Sequence, residues 1–202
     1  VQMRNGDHGY GAVTKVLHWL TVALLLVQLA LGLTMEADAA AERAEEAAEA
    51  REEAAEEVGE PAEDAADLEA DRAAEVEYLV GTADGIDLLD LHVLTGLTLL
   101  ALAVARVIWR RVGGLPPWSP ALSDAERRFA GWTEKALLAS LFAVPITGLA
   151  LVLTQEDGLV VVHVGAQVLL GLAVLAHVSL VLRHTVVRRD RLLARMLPFS
   201  RS

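Results

Sequence analysis

Residues 158–184, GLVVVHVGAQVLLGLAVLAHVSLVLRH, constrain the chain more than any other stretch. A run of about 20 apolar residues is long enough to cross a bilayer as a helix. This run also carries His163 and His177. An ionisable side chain inside such a helix is costly, so each histidine is a candidate functional residue. Fourteen residues separate them. At about 100° per residue that falls about 40° short of four full turns, so both imidazoles point the same way. At about 1.5 Å per residue they stand roughly 21 Å apart along the axis. One face of one helix thus offers a ligand near each membrane surface.

Three more apolar runs accompany this one. The predicted spans are about 14–35, 88–109, 132–154 and 158–183. The expected fold is all-α, an integral membrane four-helix bundle formed as one domain over 1–202. The hydrophobic fraction of 54% and mean hydropathy of +0.41 exceed those of ordinary soluble domains. The chain has no cysteine. That excludes disulfides, thiolate zinc sites, iron–sulfur clusters and covalent c-type haem attachment through the protein. The first apolar run has no A-x-A-like cleavage site and reads as a retained span, with Trp19 as an interfacial anchor. Gly113-Gly114 and Pro116-Pro117 stop the second helix, and residues 110–131 are expected to form a loop. Ser123 is positioned there to cap a short amphipathic helix. Pro145 is expected to kink the third span, and 155–157 make a short turn into the fourth.

Charge is distributed very unevenly. Residues 36–90 hold 21 of the 28 acidic residues and three of the 17 basic ones (Arg43, Arg51, Arg72), a net of −18. The rest of the chain is therefore +7, against −11 for the whole. The segment at about 36–87 is an acidic insertion between the first two spans. Its Ala, Glu and Arg favour local helix, with Gly59 and Pro61 breaking it and a connecting turn around Gly81 and Gly85. No apolar stripe runs along it, so it reads as a solvated loop or a docking surface for a basic partner. Lys and Arg gather in 110–128 and 183–201, with Arg4 and Lys15 before the first span. The positive-inside rule then predicts cytoplasmic termini, a cytoplasmic 110–131 loop and an extracytoplasmic insertion. Membrane lipid is the expected surroundings, and nucleic acid is not an expected partner.

Topology sorts the intramembrane histidines by depth. His18 and His177 fall near the cytoplasmic surface, His92 and His163 near the outer one. A buried histidine pair suits the two axial positions of a haem held between helices. Zinc would require four ligands close together. A lone membrane histidine is more often a hydrogen-bonded core residue or part of a proton path, as in a proton-coupled transporter. Four histidines paired by depth favour two haems carrying single electrons. Gly96, one turn after His92, would let a porphyrin approach the backbone. Arg106, 14 residues after His92, is placed to pair with propionates of the inner haem; the alternative is an arginine snorkelling to the interface.

At this point the sequence resembles the bacterial cytochrome b561 family of di-haem four-helix membrane proteins. The matching elements are Tyr10 with Leu17-His18-Trp19, His92-x3-Gly96-x9-Arg106-x3-Arg110, Pro145-x2-Gly148-Leu149, His163-x13-His177 and the closing LLARMLP at 192–198. The resemblance covers nearly the whole chain outside about 36–85. It implies two haem b groups with ligand pairs His18–His177 and His92–His163. It also implies ubiquinone or menaquinone as electron partner and the bacterial inner membrane as location. Some family members look like superoxide oxidases, passing electrons from superoxide to quinone. Others are cytochrome b subunits anchoring dehydrogenases or hydrogenases. The chain departs from the pattern by lacking a histidine early in the third helix, where Gly131 and Glu134 stand, and by its acidic insertion. A −18 segment repels anionic superoxide at low salt and favours a cationic donor such as a basic redox protein. No catalytic residue is assigned.

Overall fold

The computed structural model describes residues 2–7, 9–56, 87–154, 156, 158–190 and 192–197. Its long elements are all helical: α1 (Ala12–Glu56), α2 (Leu88–Gly113), α3 (Asp124–Thr154) and α4 (Gly158–Leu182). A π turn at Arg183–Val187 and a short 3-10 turn at Leu193–Arg195 follow. All four helices contain stretches long and apolar enough to cross a membrane: Ala12–Met35, Leu88–Gly113, Asp124–Thr154 and Gly158–Val187. The expected breaks at Gly59, Pro61, Gly81 and Gly85, together with Gln155, Asp157 and His8, lie outside the described residues.

Three helix boundaries differ from those expected. α1 does not end at Met35 but runs on to Glu56, because Ala and Glu propagate a helix already nucleated by the apolar run. α2 continues past Trp109 to Gly113, and stops where Gly114 takes the left-handed conformation (φ +64°) that glycine adopts without penalty. α3 begins at Asp124, so the loop expected over 110–131 is confined to 114–123. The cause is a reciprocal cap. Ser123 N–H donates to Glu126 Oε2 at 2.9 Å, and Glu126 N–H faces Ser123 Oγ at 3.4 Å. Between this cap and the third apolar run stands a single Gly131, which a helix tolerates, so the short helix and the span are one.

The helices divide into two compact units, Val1–Val27 with Val93–Ser202, and Gln28–His92. In the first, Leu99 and Ala103 of α2 pack against Leu141 of α3, with Leu24, Leu25 and Phe142 around them. Trp109 Nε1 donates to Thr14 Oγ1 at 3.0 Å, tying α2 to the start of α1. Few apolar side chains are buried, whereas Leu26, Leu29, Leu153, Val161, Leu169 and Leu175 are each more than half exposed. That pattern would be untenable in water and suits helices facing lipid. In the second unit, Asp87 Oδ1 accepts the Asp90 N–H at 2.7 Å and caps α2.

The basic tail is folded back onto the start of α3. The π turn buries His184 completely. Its Nδ1 meets Asp190, and its Nε2 lies 3.3 Å from Glu126 Oε1. Glu126 also pairs with Arg183 (2.9 Å) and Arg188 (3.1 Å). Further along, Arg195 donates to the Pro117 carbonyl at 2.9 Å, and Trp19 Nε1 donates to the Met196 carbonyl at 2.8 Å. Burial opposes ionisation of Asp190, but hydrogen bonds from His184 and the Leu192 N–H outweigh it and hold the carboxyl below the usual carboxylate range.

Candidate functional site: paired intramembrane histidines

α1 and α4 bring His18 and His177 together. Their ring centroids are 6.3 Å apart, with the ring planes inclined at 59°. An imidazole nitrogen binds a first-row metal at about 2.0–2.1 Å, and the ring centre lies about 1.1 Å behind it; two imidazoles on opposite sides of one metal therefore have centroids roughly 6 Å apart. The observed separation would let His18 and His177 hold one iron between them. Among the described residues no group of three His, Cys, Asp or Glu side chains converges as a zinc site would require.

Arg106 stands at the same level. Its Nη1 reaches the Leu17 carbonyl and Thr21 Oγ1, each at 3.4 Å, while Thr21 itself donates to Leu17 O at 2.7 Å. The guanidinium is thus fixed one residue from His18 and is only partly buried. Trp19 meets the His18 ring edge-on at 5.4 Å. Glu134, early in α3, forms an ion pair with Arg110 at 3.1 Å.

His163 is held between two helices. Its Nδ1 is 3.1 Å from Thr147 Oγ1 on α3, and its Nε2 is 2.8 Å from Gln167 Nε2 one turn along α4. Gly148 makes room for the ring: a Cβ there would lie 2.8 Å from His163 Cε1. In the other unit, Gly32 of α1 lies against His92, where an added Cβ would be 3.7 Å from its Cε1. Gly96 is buried on α2.

Sequence reasoning missed Gly32, Thr147 and Gln167 as neighbours of these rings. Gln167 was accessible from its i+4 spacing to His163. Thr147 was not, because its contact depends on the register between α3 and α4.

Four helices long and apolar enough to cross a membrane, with His18 and His177 face to face between two of them, define a multi-pass membrane protein. The chain belongs to the prokaryotic cytochrome b561 family, which it matches over residues 9–199. No curated protein and no solved structure matches it at a significant level. Family and fold together identify a cytochrome b561-type, quinone-linked electron-transfer protein of the bacterial inner membrane. Membership implies bound haem b.

Proposed function

We propose that the chain transfers electrons between an extracytoplasmic donor and membrane quinone. His18 and His177 would hold one haem b, and His92 and His163 a second. With both axial positions filled by imidazole, each haem would carry single electrons and leave no site for oxygen. The single observation that carries this reading is the 6.3 Å separation of the His18 and His177 rings.

The chain's own residues supply placement and charge. Gly148 leaves room for the His163 ring on α3, and Gly96 would give a porphyrin clearance on α2. Arg106, anchored to the carbonyl next to His18, offers a cation to the propionates of the inner haem. By the positive-inside rule the termini and the 110–131 region would be cytoplasmic and the acidic insertion outside. His18 and His177 then form the inner site, and His92 and His163 the outer one. The −18 charge of residues 36–90 favours a cationic protein donor over superoxide. The same acidic surface also supports a second reading, in which the chain is the cytochrome b anchor of a larger dehydrogenase or hydrogenase and docks its partner there.

Anaerobic mixing of the reduced, purified protein with short-chain ubiquinone and menaquinone analogues tests the proposal. Reoxidation of the b-type absorbance by at least one quinone is expected. Failure of both to reoxidise it would overturn the quinone assignment. Co-purification of a catalytic subunit, with no quinone turnover in its absence, would favour the anchor reading.

A further inference from the structure

His163 is hydrogen-bonded at both ring nitrogens, and its neighbours decide which nitrogen bears the proton. Thr147 Oγ1 lies 2.8 Å from the Ala143 carbonyl and 3.0 Å from the Val144 carbonyl. A hydroxyl has one proton, and here a backbone oxygen takes it, as is common for Thr within a helix. Toward His163 Nδ1, at 3.1 Å, the hydroxyl oxygen therefore accepts. An acceptor at that position calls for a proton on Nδ1. Nε2 then keeps its lone pair, and the group facing it at 2.8 Å is the amide nitrogen of Gln167, a donor. The neighbours of both nitrogens agree on one tautomer.

Gly148, the residue after Thr147, sets the distance. A Cβ there would meet Cε1 at 2.8 Å, Nδ1 at 3.3 Å and Nε2 at 3.5 Å. The ring therefore lies against the α3 backbone itself, where Thr147 can reach it.

We propose that Thr147 is a positioning residue for the outer site: its hydroxyl holds His163 as the Nδ1–H tautomer, presents Nε2 as the metal-binding atom, and makes that nitrogen more basic. A hydrogen bond accepted from the distal N–H of a ligating imidazole pushes electron density toward the metal. That favours the ferric state and lowers the potential. Gln167 faces the Nε2 lone pair at 2.8 Å and would have to move aside for a metal to bind there. The proposal rests on His163 being an axial ligand.

The test compares Thr147→Val, Thr147→Ala and Thr147→Ser in the full-length haem-loaded protein, by redox titration and by the EPR g-values of each haem. Val and Ala remove the acceptor; Ser keeps it. One haem in the Val and Ala variants should become easier to reduce, by about tenfold in its equilibrium, which for a one-electron couple is about 59 mV. The other haem should not move, and Ser should restore the parent values. Valine adds a methyl where the hydroxyl stood, so the shift must also appear with alanine. Equal potentials and g-values in all three variants would overturn the role of Thr147. His163→Ala separates the two levels of the argument. If it removes one haem while Thr147 variants change nothing, only the positioning role fails; if it removes none, the ligand assignment itself fails.

Discussion

The rings of His18 and His177, 159 residues apart in sequence, face one another with centroids 6.3 Å apart. Neither ring could be replaced without leaving its partner alone in an apolar setting. His18→Ala and His177→Ala should each lower haem content from two per chain to one, and should remove the same haem. The double variant should lose no more than either single one, because the two residues act as a unit. Pyridine haemochrome assay against protein concentration checks this.

Gly148 has no room for a side chain. Gly148→Ala would drive a methyl into His163 Cε1 at 2.8 Å. Overpacking of this kind costs roughly 1–3 kcal/mol, and here the ring must give way. The outer haem should be lost or perturbed, with the inner one intact. Haem-resolved EPR and thermal melting of the helical signal measure both effects.

Arg106 is fixed beside His18 through the Leu17 carbonyl and Thr21. A nearby cation favours the reduced, less positive haem. Arg106→Gln should make the inner haem harder to reduce, by about tenfold or about 59 mV, without altering the outer haem. An unchanged titration would place Arg106 among interfacial anchors instead.

The docked tail should be sensitive to acid. Asp190 has a folded pKa below its ordinary value, so its contribution is present at pH values above the unfolded carboxylate range. It is lost as pH falls through the lower folded value. Hydrogen exchange over 192–197 should therefore rise below about pH 4. Asp190→Asn should raise it already at neutral pH, since it costs a charge-assisted bond to buried His184, about 1.5–3 kcal/mol.

The acidic segment should betray its partner through salt. Reduction by a basic soluble cytochrome should be fast at low ionic strength and slow as salt screens the −18 charge. Reduction by superoxide should show the opposite trend. A donor rate independent of salt would leave the segment without a steering role.

Much of this fold was legible because lipid imposes a simple code. Four apolar runs of spanning length and the depths of four histidines sufficed to predict that His18 would meet His177. The stop at Gly113-Gly114 and the cap at Ser123 were also readable as local chemistry. What was not legible depended on continuity or on register. The helix through Met35 to Glu56 meets no Gly or Pro, and the merged α3 meets only an isolated Gly131 at the junction, so a change in polarity did not mark a boundary in either. The burial of His184 depends on a π turn that advances its side chain toward Glu126 and Asp190. Thr147 becomes visible only when α3 and α4 are side by side.

The central claim is that four histidines hold two haems. The most direct measurement is haem stoichiometry with a reduced-minus-oxidised spectrum on the purified chain. Two haem b per polypeptide with low-spin, bis-imidazole spectra are expected. A chain without a Soret band, or with a single or high-spin haem, would contradict the account.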